Sequence, residues 1–131
     1  MTRTTLSLIM MALLLSGCST LATPGKSDLM EKSDNWMKMV HWGEYDEACM
    51  KFAAIDSQQP CRQGFSGQGL VVVEQKVQDL SWDDDGLGAT VTVSLEYVRP
   101  PSVTLKRTTH RQRWEVRDKR WQITGPFPEL P

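Results

Sequence analysis

The chain has 131 residues, with 15 Lys and Arg against 16 Asp and Glu and a formal net charge of −1. That is one domain's length, and 40% hydrophobic with 24% charged residues is an ordinary globular balance. There is no basic excess of the kind nucleic acid demands, so nucleic acid is not expected as a partner.

The first segment reads as an export signal. Met1-Thr2-Arg3 carries one positive charge, and Leu6 to Leu15 (LSLIMMALLL) is apolar and uncharged. A helix crossing a bilayer needs about 20 apolar residues, so this run is too short to span one. A basic start, a short apolar run and small residues at its foot make a secretory signal peptide. The run closes on Leu15-Ser16-Gly17-Cys18, which resembles the lipobox of bacterial lipoproteins. The resemblance implies a diacylglyceryl group on the Cys18 thiol, cleavage before that residue and acylation of the new amine. Residues 1–17 are then the signal peptide, and Ser19, where Asp would favour the inner membrane, implies sorting to the outer membrane. One acyl chain binds a bilayer only marginally, at about 0.8 kcal/mol per buried CH₂, whereas two or three anchor a protein. Residues 18–27 hold the lipidated cysteine and a small, polar, Pro- and Gly-containing tether. Residues 28–131 are read as a single domain facing the periplasm.

Two helices come next. Asp28 with Glu31 three residues on is a capping-box-like start, and Leu29, Trp36, Met37 and Val40 share one helical face. Gly43 is the expected stop. Tyr45, Ala48, Cys49, Phe52 and Ala53 then form an apolar stripe, which puts Cys49 on the buried side. The segment "GEYDEACMKFAAIDSQQP" is similar to the second half of a tetratricopeptide repeat at Gly43, Tyr45, Ala48, Phe52 and Pro60. It occurs once, and solenoids need about three copies, so it reads as a plain helix-turn-helix. With Cys18 assigned to lipid, Cys49 and Cys61 remain. An oxidising compartment and an even remainder favour a disulfide between them; a metal pair or free thiols are the alternatives. Asp56 to Gly69, with Pro60 and glycines, reads as loop.

The rest reads as strands. Leu70–Trp82 is the first, with untidy alternation, and Asp83-Asp84-Asp85-Gly86 turns the chain. Ala89, Val91, Val93, Leu95 and Tyr97 alternate with polar residues in a half-buried strand, which Pro100-Pro101 ends. A third strand runs from about Ser102 to Val116, and Arg117 to Arg120 closes a hairpin onto Trp121–Thr124. A symmetric hairpin pairs Val116 with Trp121 and Trp114 with Ile123, all on one face. The third strand contains a conflict of parity. Trp114 and Val116 put even positions inside, whereas Val103 and Leu105 put odd ones there. Either a bulge intervenes, or His110 and Gln112 point inward with Trp114.

This layout covers about residues 28–125 and resembles the NTF2-like superfamily. The resemblance implies an α+β fold, with an N-terminal helix pair packed on a curved antiparallel meander sheet of about four strands, the NTF2-like or cystatin-like cone. It also implies that a pocket for a small ligand, or isomerase chemistry, is one alternative to a non-enzymatic binding or accessory role in the envelope; a purely structural envelope lipoprotein is the other. The candidate pocket is His110, Gln112, Trp114 and Tyr97. No carboxylate is placed inside by the pattern, so no catalytic residue is assigned. Asp83–Gly86 does not continue as a calcium loop, because its twelfth position is Ser94, not Glu. "GFSGQG" precedes a strand and lacks the context of a phosphate loop. His41 has no ligand partner at helical spacing, and neither metal nor cofactor is expected. Charge is uneven: residues 28–85 carry twelve acidic and five basic side chains, and residues 99–120 eight basic and two acidic. Arg107, Arg111 and Arg113 share a strand face, a candidate basic face for lipid headgroups or an acidic protein. The plainer reading is that they complement the acidic half. The expected partners are the membrane, through the N-terminal lipid, and an envelope protein.

Overall fold

The computed structural model of the chain describes residues 24–66, 69–125 and 127. The expected signal peptide, Cys18 and the expected tether up to residue 23 lie outside the described residues, as does most of the tail "GPFPELP".

Helix α1 (Lys26–His41) buries Leu29, Ser33, Trp36 and Val40, one stripe at helical spacing. It begins earlier than the expected capping box. Gly25 is its N-cap, without a side-chain bond, and Asp28 sits in the first turn, where its charge faces the positive end of the helix. Gly43 ends it as expected. Its φ of +76° lets Glu44 N–H reach the Met39 carbonyl at 2.9 Å and Gly43 N–H the Val40 carbonyl at 3.1 Å, a Schellman closure. Helix α2 (Tyr45–Phe52) buries Ala48, Cys49 and Phe52.

Residues 56–66 correct the loop reading. A 3₁₀ turn (Ile55–Ser57) leads into helix α3 (Gln58–Ser66). Pro60 is its third residue, within the first turn, where a missing N–H breaks no helical bond. Cys61 is fully buried and bonded to Cys49, with S–S 2.00 Å and Cα–Cα 5.7 Å. The disulfide holds α3 against α2, so a segment of weak helical propensity is fixed by tertiary constraint. The expected helix pair is therefore three helices.

Strands β1 (Val71–Trp82), β2 (Gly88–Val98), β3 (Lys106–Arg117) and β4 (Arg120–Gly125) form one antiparallel sheet in the order β1-β2-β3-β4. The α+β fold, helices on a curved four-stranded meander, matches the expectation. Val116 pairs with Trp121 and Trp114 with Ile123, the register read from the apolar pattern. Asp118 and Lys119 both have positive φ, 51° and 61°, as a two-residue type I′ turn requires. The parity conflict in the third strand resolves without a bulge against β2. Strand β3 starts only at Lys106, its register with β2 is continuous, and Val103 lies outside it, 92% exposed. His110 and Gln112 point inward with Trp114. The untidy alternation of β1 has a cause: its register shifts twice against β2, at Val72/Glu74 and Val77/Asp79.

The sheet curls around α1. Trp82 of β1 and Trp121 of β4 meet edge-on at 6.0 Å between ring centroids, although two strands separate them. Ala89, paired with both Trp82 and Trp114, leaves room for the rings. Trp36, Phe52 and Trp114 continue the cluster in T-shaped contacts of 6.2 and 6.3 Å. The outer edge of β4 is covered: Ala53 bridges Ile123, and Ala54 N–H donates to the Ile123 carbonyl at 2.9 Å.

Candidate functional site

His110, Gln112 and Trp114 lie on successive inward positions of β3 and touch. The Trp114 indole N–H can only donate, and it donates to Gln112 Oε1 at 3.3 Å. That fixes the amide, so its NH₂ faces His110 Nε2 at 3.2 Å. Nε2 must then accept, and the imidazole proton sits on Nδ1, a buried atom with no hydrogen-bond partner among the described residues. Burial pushes the His110 pKa down to about 4. A second proton on Nε2 would also point at the NH₂ donors of Gln112, so the ring is held neutral.

This line is sealed in the core. Gln112 and His110 are 4% and 8% exposed, and the clefts described below are walled by other residues. Tyr97, the fourth candidate, is buried but stands four residues along β2 from Val93, the residue paired with His110. At about 3.3 Å per residue that is roughly 13 Å. The structure therefore joins three of the four candidates as core packing and leaves Tyr97 apart, beside the Arg99 guanidinium at 5.8 Å. Among the described residues no Asp or Glu is buried. Tyr45, on the α2 stripe, donates its hydroxyl to the Leu70 carbonyl at 3.2 Å, tying α2 to the entry of β1, and burial raises its pKa.

The three arginines share the outer face of β3 but not one role. Arg107 pairs with Glu96 on the neighbouring strand, its Nε donating at 2.8 Å. Arg113 grips the Asp83 carboxylate with both terminal nitrogens, Nη1 to Oδ1 at 2.9 Å, and reaches Glu115 at 3.4 Å. This pair lowers the Asp83 pKa, first through the hydrogen bond from Arg113, and raises that of Arg113. Arg111 alone has no side-chain partner among the described residues. Pairing with nearby carboxylates thus accounts for two of the three.

Two clefts were not legible in the sequence. One, of about 200 Å³, lies between α1 and β1, with Leu29, Ser33, Met37, Val77 and Leu80 on its walls. Ser33 is 3% exposed, and its hydroxyl has no partner among the described residues. The other, also about 200 Å³, lies where α1, the end of α2 and the start of β4 meet, and Lys32, Lys51 and Arg120 line it. These residues are far apart in sequence, and only the α2 stripe hinted that Phe52 would face inward beneath them. Among the described residues no group of three His, Cys, Asp or Glu is placed to hold a metal, and no helix is long and apolar enough to cross a membrane.

No protein-family model matches the chain, and no curated protein matches it. Among solved structures, the intermembrane space region of the chloroplast protein ARC6 is similar, with a TM-score of 0.47 and 16% identity. The match covers 79% of this chain and 95% of that one.

Proposed function

We propose that the chain is a lipid-anchored lipoprotein of the outer membrane whose domain faces the periplasm and serves as a non-enzymatic binding or accessory module of the cell envelope. One observation carries the reading: Cys18 follows Leu15-Ser16-Gly17 directly at the foot of an apolar run too short to span a bilayer. The Cys49–Cys61 disulfide suits an oxidising compartment. The non-enzymatic part is supported by a neutral, enclosed histidine and by the lack, among the described residues, of a buried carboxylate. Crosslinking in intact cells followed by pull-down should recover one dominant envelope protein; recovery of only scattered envelope proteins would count against the module.

A second reading, an NTF2-like pocket binding a small ligand, is favoured by the α1–β1 cleft. Its walls are mostly apolar, with Asp34, paired with Lys38, also lining it, and the Ser33 hydroxyl, unpartnered among the described residues, would supply one hydrogen bond to a largely greasy ligand. An environment-sensitive apolar dye should bind there, and Leu80→Arg should remove the binding. Dye binding that survives Leu80→Arg unchanged would exclude the cleft.

A further inference from the structure

We propose that the cleft lined by Lys32, Lys51 and Arg120 is a docking face for the anionic phospholipid surface of the membrane. The inference deepens the lipoprotein reading, on which it rests for the nearness of a bilayer. None of the three cations has a salt-bridge or hydrogen-bond partner among the described residues. Lys51 does lie over the Phe52 ring, 5.3 Å from its centroid. Lys38, Arg62, Lys76, Arg107, Arg113 and Arg117 all reach carboxylates; among the described residues Lys26, Lys106, Arg111 and Lys119 do not, but none of these four lines the cleft. Among the described residues Asp118 is the single carboxylate on the same cleft, which leaves their charges there an excess of two positive.

The rim is apolar where the charges converge. Met50 and Ile55 line the same cleft and are 55% and 85% exposed. Cations beside exposed aliphatic side chains suit an interface where phosphates lie over hydrocarbon. They suit a free phosphate ion less well, since it would make no use of the aliphatic rim.

Chain geometry points to the same face. The Trp121 indole N–H donates to the Gly25 carbonyl at 3.0 Å, and Trp121 is itself a wall of the cleft. The described chain therefore begins beside this site. Gly25 stands seven residues after Cys18, a reach of at most roughly 24 Å when extended. A lipid on Cys18 keeps this corner of the domain within that distance of the headgroups. A basic side chain near such a surface gains about fivefold in partitioning, so an excess of two charges favours this orientation by on the order of 25-fold.

The test uses the full chain as made by the cell, purified and reconstituted into vesicles, with Lys51 as reporter. Acetylation of each lysine is followed by mass spectrometry. In vesicles of equal phosphatidylglycerol and phosphatidylcholine, Lys51 should react about fivefold or more slowly than in phosphatidylcholine alone. Lys38 and Lys76, paired with Asp34 and Glu74, should keep their rates. Molar salt should abolish the difference, and so should the Lys32→Glu/Arg120→Glu variant, with its fold checked by circular dichroism. Docking is overturned if Lys51 reacts equally in both vesicles, or if all lysines slow together. It is overturned too if inorganic phosphate over phosphatidylcholine protects Lys51 as well as the anionic lipid does. The intact mass of the same sample reports the lipid on Cys18, so the anchor and the docking face can fail separately.

Discussion

The buried histidine of β3 makes the fold sensitive to acid by an amount that follows from its surroundings. His110 has a pKa of about 4 in the folded chain because burial disfavours its charged form, against about 6.5 when unfolded. Between those values the unfolded chain binds the extra proton, so stability falls as pH falls. The loss is absent above the unfolded pKa and complete below the folded one. A shift of this size corresponds to on the order of 3 kcal/mol in all, with about 2 kcal/mol of it spent between about pH 7 and about pH 4.5. Urea unfolding at the two pH values measures it. His110→Leu supplies the comparison: it costs stability at neutral pH by leaving the Gln112 amide unpaired, about 1–3 kcal/mol, but it should lose about 2 kcal/mol less than wild type on acidification. Carboxylate contributions, including that of Asp83 with its lowered pKa, are common to both proteins and cancel in the difference. Equal acid slopes for wild type and His110→Leu would refute the reasoning, since a ring that charges as readily in the fold as out of it is not sealed in the core.

Three further outcomes are expected. Replacing Cys49 and Cys61 together by Ala should lower stability by about 3 kcal/mol, the loop-closure value for a separation of 12 residues; denaturant melts with and without reductant check this, and a loss no larger than the scatter would contradict it. Asp118→Asn with Lys119→Gly should stabilise the β3–β4 hairpin by on the order of 1 kcal/mol, because both positions hold positive φ; a lower melting temperature would count against the turn. Ser33→Ala removes a buried, unpartnered hydroxyl and should leave stability unchanged or raised in thermal melts, whereas a loss above about 1 kcal/mol would mean that the hydroxyl has a partner.

Much of the fold was legible where one physical rule acted alone. The β3–β4 register followed from Trp114, Val116, Trp121 and Ile123 sharing a face, and the end of α1 from Gly43. Strand β2 followed from strict alternation between Ala89 and Tyr97. Legibility failed where tertiary constraint overrode local preference. Pro60 and Gly64 signal a loop, yet a disulfide to Cys49 and burial of Cys61 hold the segment as helix. The parity of β3 was ambiguous because Val103 and Leu105 are apolar but stand outside the sheet. The sites divide in the same way. His110 and Gln112 were placed inward by alternation, but a pattern gives the direction of a side chain and not whether a void lies before it. The clefts at Ser33 and at Lys32, Lys51 and Arg120 join residues that only the packing of α1, α2 and β4 brings together, and no spacing in the chain announces them.

The central claim is that fat is bonded to the sulfur of Cys18, and cells grown with labelled palmitate test it most directly. The account predicts label on the wild-type protein at the mass of a chain beginning at Cys18, and an unlabelled, longer product for Cys18→Ala. An unlabelled wild type, or a Cys18→Ala protein of mature size in the same membrane fraction, would contradict it.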